Sequence, residues 1–136
     1  MTTSGPNDTR DEGGDADLVA IEAVVEAYFE GLYLSDTKRL ERAFHPSARI
    51  MGYDEGKLID NPIDTFIAFV GRVTPPAEEG EAFDMEIVSV DIQGSAAAVK
   101  VADLYKGLRF TDYLSLLKID GTWKIVSKTF SHLPRS

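Results

Sequence analysis

The chain contains no cysteine. That removes a disulfide framework and thiolate catalysis, and it fits a reducing compartment. Histidine is nearly absent as well: with only His45 and His132 in 136 residues, a histidine-rich metal site is not expected, and no cofactor is called for. No apolar run approaches the ~20 residues of a membrane span, and the N-terminus lacks the basic-then-apolar order of a secretory signal. A cytoplasmic protein that makes no membrane contact is the expectation. Excess basic charge is missing too. A net charge of −9 argues against electrostatic binding of nucleic acid, which needs a basic surface.

A chain of this length forms one domain and can bury roughly two-thirds of its unfolded surface. Its charge is uneven. Residues 1–17 carry five acids against Arg10, whereas residues 100–136 carry seven Lys or Arg against Asp103, Asp112 and Asp120. The first segment, rich in Gly, Asp, Thr and Ser, reads as a disordered acidic tail. The basic C-terminal end could favour an anionic ligand, although strand-edge lysines also discourage aggregation.

From Leu18 the pattern is helical: Leu18, Ile21, Val25, Tyr28 and Leu32 fall on one stripe, with Asp15 or Asp17 available as a cap. Ser35-Asp36 caps a second, shorter helix with Leu40, Ala43 and Phe44 on its apolar side, and His45-Pro46 ends it. Ala48–Tyr53 and Lys57–Asp60 read as a hairpin around Asp54-Glu55-Gly56. Asn61 as cap, Pro62 in the first position and Asp64 in the third then start a helix carrying Phe66, Ile67, Phe69, Val70 and Val73. Strands follow to the end. Phe83, Met85 and Ile87 alternate in one phase and Val88, Val90 and Ile92 in the other, a slip that predicts a β-bulge near Ile87. The result is an α+β domain over residues 18–132, three N-terminal helices on a curved sheet, with 133–136 as a short C-terminal end.

The last two strands, Phe110–Ile119 and Thr122–Phe130, meet at Asp120-Gly121, a strong hairpin signal. Both phases of this pair are largely apolar, so both faces need cover. Asp112 and Lys128 are the two charges in one of them. If the loop is the three residues Ile119-Asp120-Gly121, Lys118 pairs with Thr122 and Asp112 lies directly opposite Lys128, side chains ~5 Å apart. Such a pair either fixes strand register or contacts a ligand.

Tyr28-Phe29-Glu30-Gly31, Ser35-Asp36, Phe44-His45-Pro46-Ser47-Ala48, Phe110-Thr111-Asp112-Tyr113-Leu114 and Asp120–Lys128, in this order of elements, resemble the nuclear-transport-factor-2-like superfamily. Within it the chain is most similar to the bacterial group known as putative lumazine-binding, near the polyketide cyclases. The resemblance implies a cone: a strongly bent mixed, mainly antiparallel sheet wrapped on the helices around an apolar pocket. It implies pocket candidates Tyr28, Tyr53, Phe110, Asp112, Leu114, Val126, Lys128 and Phe130. It also implies a homodimer through the outer sheet face, with Tyr113, Leu117, Trp123 and Ile125 as contacts. Against ketosteroid isomerase, Tyr28 and Asp36 match the spacing of the oxyanion-donor tyrosine and a following acid. Gly52 stands at the position of the general base, Leu114 near that of the second oxyanion donor, and Phe130 at a pocket-wall aromatic. The implied function is binding of a small cyclic or aromatic molecule. The alternatives are a cofactor-free isomerase, dehydratase or cyclase acting on a cyclic carbonyl compound, and a non-catalytic association module.

Overall fold

The computed structural model describes residues 7–134, with side chains from Gly14 onward; residues 1–6 of the expected tail lie outside the described residues. The first helix, α1 (Asn7–Leu34), begins well before Leu18. Its stripe of Ile21, Val25, Tyr28, Phe29 and Leu32 is fully buried, as a 3.6-residue period requires when one face meets a sheet. Asp17, expected as a cap, lies within α1. It instead accepts hydrogen bonds from Trp123 Nε1 and Lys118 Nζ, both at 3.0 Å, and these bonds, the indole's first, hold its carboxyl below the usual range.

The second helix, α2 (Thr37–Ala43), is capped by Asp36, whose carboxylate accepts from the Arg39 N–H at 3.2 Å. Asp36 is therefore a structural cap rather than part of a site. Gly31 lets α1 and α2 approach closely, since a Cβ there would lie 2.6 Å from Leu40 Cδ2. The hairpin β1 (Phe44–Asp54) and β2 (Lys57–Pro62) follows, then α3 (Ile63–Arg72). Its N-cap is Pro62, with no side-chain cap bond; Asn61, expected to cap it, belongs to β2.

The remaining strands are β3 (Met85–Gln93), β4 (Ala96–Tyr105), β5 (Leu108–Ile119) and β6 (Thr122–His132). They form one six-stranded sheet in the order β2-β1-β6-β5-β4-β3. Only the β1–β6 pairing is parallel. The sheet curls around the three helices without closing. The register of β3 on β4 shifts between Ile87 and Ser89, so the bulge sits where the apolar phase slips.

The β5–β6 hairpin differs from expectation in a way that matters for function. Its loop is the two residues Asp120-Gly121, with φ of 51° and 81°, the left-handed pair of a type I′ turn. Ile119 therefore pairs with Thr122 and Lys118 with Trp123. A bulge then leaves Val126 without a partner, because Leu116 pairs with Ile125 and Ser115 with Ser127. Beyond it Leu114 faces Lys128 and Asp112 faces Phe130. Asp112 and Lys128 are consequently diagonal neighbours rather than directly opposed. The bulge also reverses the phase of β6 near the turn. Trp123 and Ile125, expected on the outer face, point toward the helices and are 2% and 0% exposed. Tyr113 and Leu117 do lie on the outer face, half-exposed at 52% and 40%.

Candidate functional site

Toward its open end the concave face encloses a cavity of about 470 Å3. Apolar walls come from Leu32, Ile50, Ile59, Phe66, Phe69 and Leu108, and a wall of rings crosses the sheet. There Phe110 stands edge-on to Phe130 at 5.9 Å between centroids and to the His132 imidazole at 5.2 Å. Ionisable side chains reach the lining from strands that bring their inner phase to this face, Asp54 from β1, Asp103 and Tyr105 from β4, Lys128 and His132 from β6, and Arg72 of α3 and Lys106 line it as well.

Lys128 is 6% exposed. Its Nζ lies 4.6 Å from the centroid of Phe66, 5.1 Å from Tyr28 and 5.7 Å from Phe130. Ring quadrupoles stabilise a desolvated ammonium by ~2 kcal/mol in such settings. Yet among the described residues no carbonyl or carboxylate accepts a hydrogen bond from it. A buried cation with three unused donors is costly unless something else accepts them.

Beneath the cavity lies an acid pair. The Tyr28 hydroxyl donates to Asp112 Oδ2 at 2.7 Å, and Asp112 is completely buried. Asp103, 3% exposed, is on the neighbouring strand, one diagonal step away because Val101 pairs with Asp112 and Phe110 with Asp103. Among the described residues neither Oδ1 meets a hydrogen-bond donor. Burial, followed by the negative charge of Asp112, pushes the Asp103 carboxyl up to about 8, while the charge of Lys128 opposes the rise. At neutral pH Asp103 is thus mainly a neutral acid able to donate. The Tyr28 phenol is held well above its ordinary value by burial and by the charge of Asp112, so it stays a donor. Tyr105 also lines the cavity. Its buried hydroxyl has no partner among the described residues, and burial together with Glu81 and Glu79 raises it to about 12.

At the mouth, His132 Nε2 lies 2.9 Å from Asp54 Oδ1, and its Nδ1 lies 2.8 Å from the Leu133 carbonyl. Lys106 is held there by Glu79 Oε1 at 2.6 Å and the Thr74 carbonyl at 2.9 Å.

Of the eight residues expected to line a pocket, Phe110, Lys128 and Phe130 do so. Tyr28, Asp112 and Leu114 are buried below it. Tyr53 is 63% exposed, because Gly52 and Asp54 occupy the inward phase of β1. Val126 is the bulge residue and does not reach the cavity. Gly52 has no room for a side chain: a Cβ would meet the Phe130 carbonyl at 2.5 Å and its ring at 2.6 Å. The position that the resemblance matches to an isomerase base is therefore taken up by an aromatic ring. Asp103 and the Asp54–His132 pair escaped the sequence reading. An acid in the buried phase of Val99, Val101 and Tyr105 was the signal for Asp103.

A model of the putative lumazine-binding family matches residues 16–131. The chain belongs to that family. Its architecture is shared by NTF2-like proteins of unknown function from Silicibacter pomeroyi, 33% identical with a TM-score of 0.80 over 88% of this chain and 98% of that one, and from Shewanella baltica, 34% identical with a TM-score of 0.80 over 88% and 96%. Aldolase FrzH of Cladobotryum sp. is 30% identical over 118 residues, 85% of this chain and 91% of that protein. For this member of the putative lumazine-binding family, the span 16–131 takes in every cavity residue named above except His132.

Proposed function

We propose that the chain binds a small cyclic or aromatic carbonyl compound in the cavity and promotes its enolisation without a cofactor. The observation that carries this reading is Lys128: a buried side chain whose ammonium, boxed by three rings, meets no acceptor among the described residues. A carbonyl oxygen seated on it would also be within the province of Asp103, whose proton is available at neutral pH. Both groups favour the negative charge that develops on oxygen as an enol forms, and donors fixed in advance in a dry site stabilise such charge strongly. The aromatic wall of Phe110 and Phe130 suits a flat ring. The relative named as an aldolase supports the same direction, because aldol chemistry starts by removing an α-proton to give an enol, an enolate or an enamine. An open cavity of this size, within the range of small-molecule sites, speaks against a plugged association module.

Beta-naphthol, which mimics the enol of beta-tetralone, is the binding probe. It is expected to raise the melting temperature of the wild-type protein, and Lys128→Met is expected to abolish that shift. A shift of equal size in both proteins would sink the assignment of the oxygen site. Binding without α-hydrogen exchange of beta-tetralone would leave a carrier protein instead of an enzyme. We further propose a homodimer through the outer face around Tyr113 and Leu117. Sedimentation should give roughly twice 14.9 kDa at micromolar concentration, and Tyr113→Asp should yield monomers.

A further inference from the structure

If Lys128 and Asp103 hold a carbonyl oxygen, enolisation still lacks a base, and the position where ketosteroid isomerase carries one is Gly52, closed by Phe130. The inward phase of β1 continues past that glycine to Asp54, one step nearer the mouth. We infer that Asp54 is the base of this site and that His132 positions it, so that the base has moved two residues along the strand.

Three features support the assignment. Asp54 and His132 line the same cavity as Lys128 and Asp103, so a single small molecule can meet both ends. Parallel pairing of Gly52 with Phe130 puts the next inward residues of β1 and β6 side by side, which the 2.9 Å contact between Asp54 Oδ1 and His132 Nε2 reflects. The imidazole is itself fixed, its Nδ1 against the Leu133 carbonyl and its ring against Phe110. With Oδ1 engaged by the imidazole, Oδ2 is the atom left to take a proton. The carboxylate side chain is about half-exposed, 47%, whereas the imidazole is 5% exposed. Asp54 can therefore trade its proton with water through the open mouth while the His132 ring stays packed against Phe110.

The step balances without a co-reactant. Asp54 Oδ2 takes the α-proton, and the C–H electron pair becomes the new C=C bond. The carbonyl π pair moves onto oxygen, which takes the Asp103 proton or remains an enolate hydrogen-bonded to Lys128. In deuterium oxide, Asp54 exchanges its proton with solvent and returns a deuteron to the α-carbon as the electron flow reverses. Asp54 is a catalytic residue in this scheme and His132 a positioning one.

The inference rests on the proposed function, and one experiment separates their failures. Deuterium uptake by beta-tetralone is followed by NMR with the full chain, and beta-naphthol binding reports an intact site in each variant. Asp54→Asn is expected to lower exchange by roughly 100-fold or more with naphthol binding retained. His132→Phe is expected to lower the rate at saturating ketone by roughly 10-fold with half-saturation unchanged, and His132→Gln, which keeps a donor, to recover part of it. Exchange that survives Asp54→Asn at the wild-type rate overturns the base assignment alone. A wild-type protein that binds naphthol yet exchanges nothing overturns the enolisation reading and the base with it.

Discussion

The two ends of the β5–β6 hairpin are built from the same strands and do opposite things. Near the turn, Leu116, Trp123 and Ile125 pack under α1 as dry core. Past the bulge at Val126, the same inward face carries Asp112, Lys128, Phe130 and His132 and borders a cavity. A single unpaired residue separates the two regimes. It lets the core end keep its packing register while the cavity end sets its own, so substitutions at one end should register as stability and at the other as binding.

The largest effect should come from the core end. Trp123→Ala empties a nearly fully buried site and removes the indole donor to Asp17, and it should cost ~3–5 kcal/mol in urea unfolding. Lys128→Met, two residues past Val126, should lose ligand with no loss of stability, because replacing a buried charge by a similar apolar shape is often neutral or favourable. Comparable destabilisation by both substitutions would erase the distinction between the two ends.

Between them lies Tyr28, which belongs to the core by packing and to the site by its hydroxyl. Tyr28→Phe strips Asp112 Oδ2 of its donor, and a loss of ~1–3 kcal/mol is expected, measured by chemical denaturation. An unchanged midpoint would mean that Asp112 finds another donor.

The acid pair sharpens the contrast through pH. Asp103 titrates near 8 in the folded chain and near 3.9 when unfolded, so between those values the native state holds the additional proton. Its contribution is fully present below pH ~4 and is lost as pH rises toward 8, with a slope of at most about 1.4 kcal/mol per pH unit. Asp103→Asn should flatten that limb of the melting-temperature profile and make the protein more stable than wild type above pH 8. Trp123→Ala should shift the whole profile down without changing its shape. The smallest effect is expected at the tether between α1 and the hairpin. Lys118→Ala should lower the melting temperature slightly, and less so at high salt, since this exposed ion pair is screened.

Most of the architecture was legible in the sequence, and the reasons are local. Asp36 is a good cap, Asp120-Gly121 and Lys106-Gly107 supply left-handed turn residues, and the phase slip at Ile87 exposes its bulge because polar and apolar residues exchange places there. The bulge at Val126 left no such trace. Both phases of β5 and β6 are apolar, so a shift by one residue changes no contrast between faces, and Trp123 and Ile125 were placed on the wrong side. The site was legible in Phe110 and Phe130, which line the cavity, and where apolar surroundings made a charge conspicuous, at Lys128 in the lining and at Asp112 beneath it. Asp54 hid in a turn-like Asp-Glu-Gly run, and His132 at a strand end.

The tight seat of Gly52 against Phe130 has a consequence for how this chain could change over generations. An aspartate at 52 collides with the Phe130 ring and carbonyl, and trimming Phe130 alone opens the aromatic wall of the cavity. The carbonyl clash persists even after the ring is removed. A side chain at position 52 therefore needs a shift of the β6 backbone as well as two substitutions, whereas the carboxylate of Asp54 needs neither.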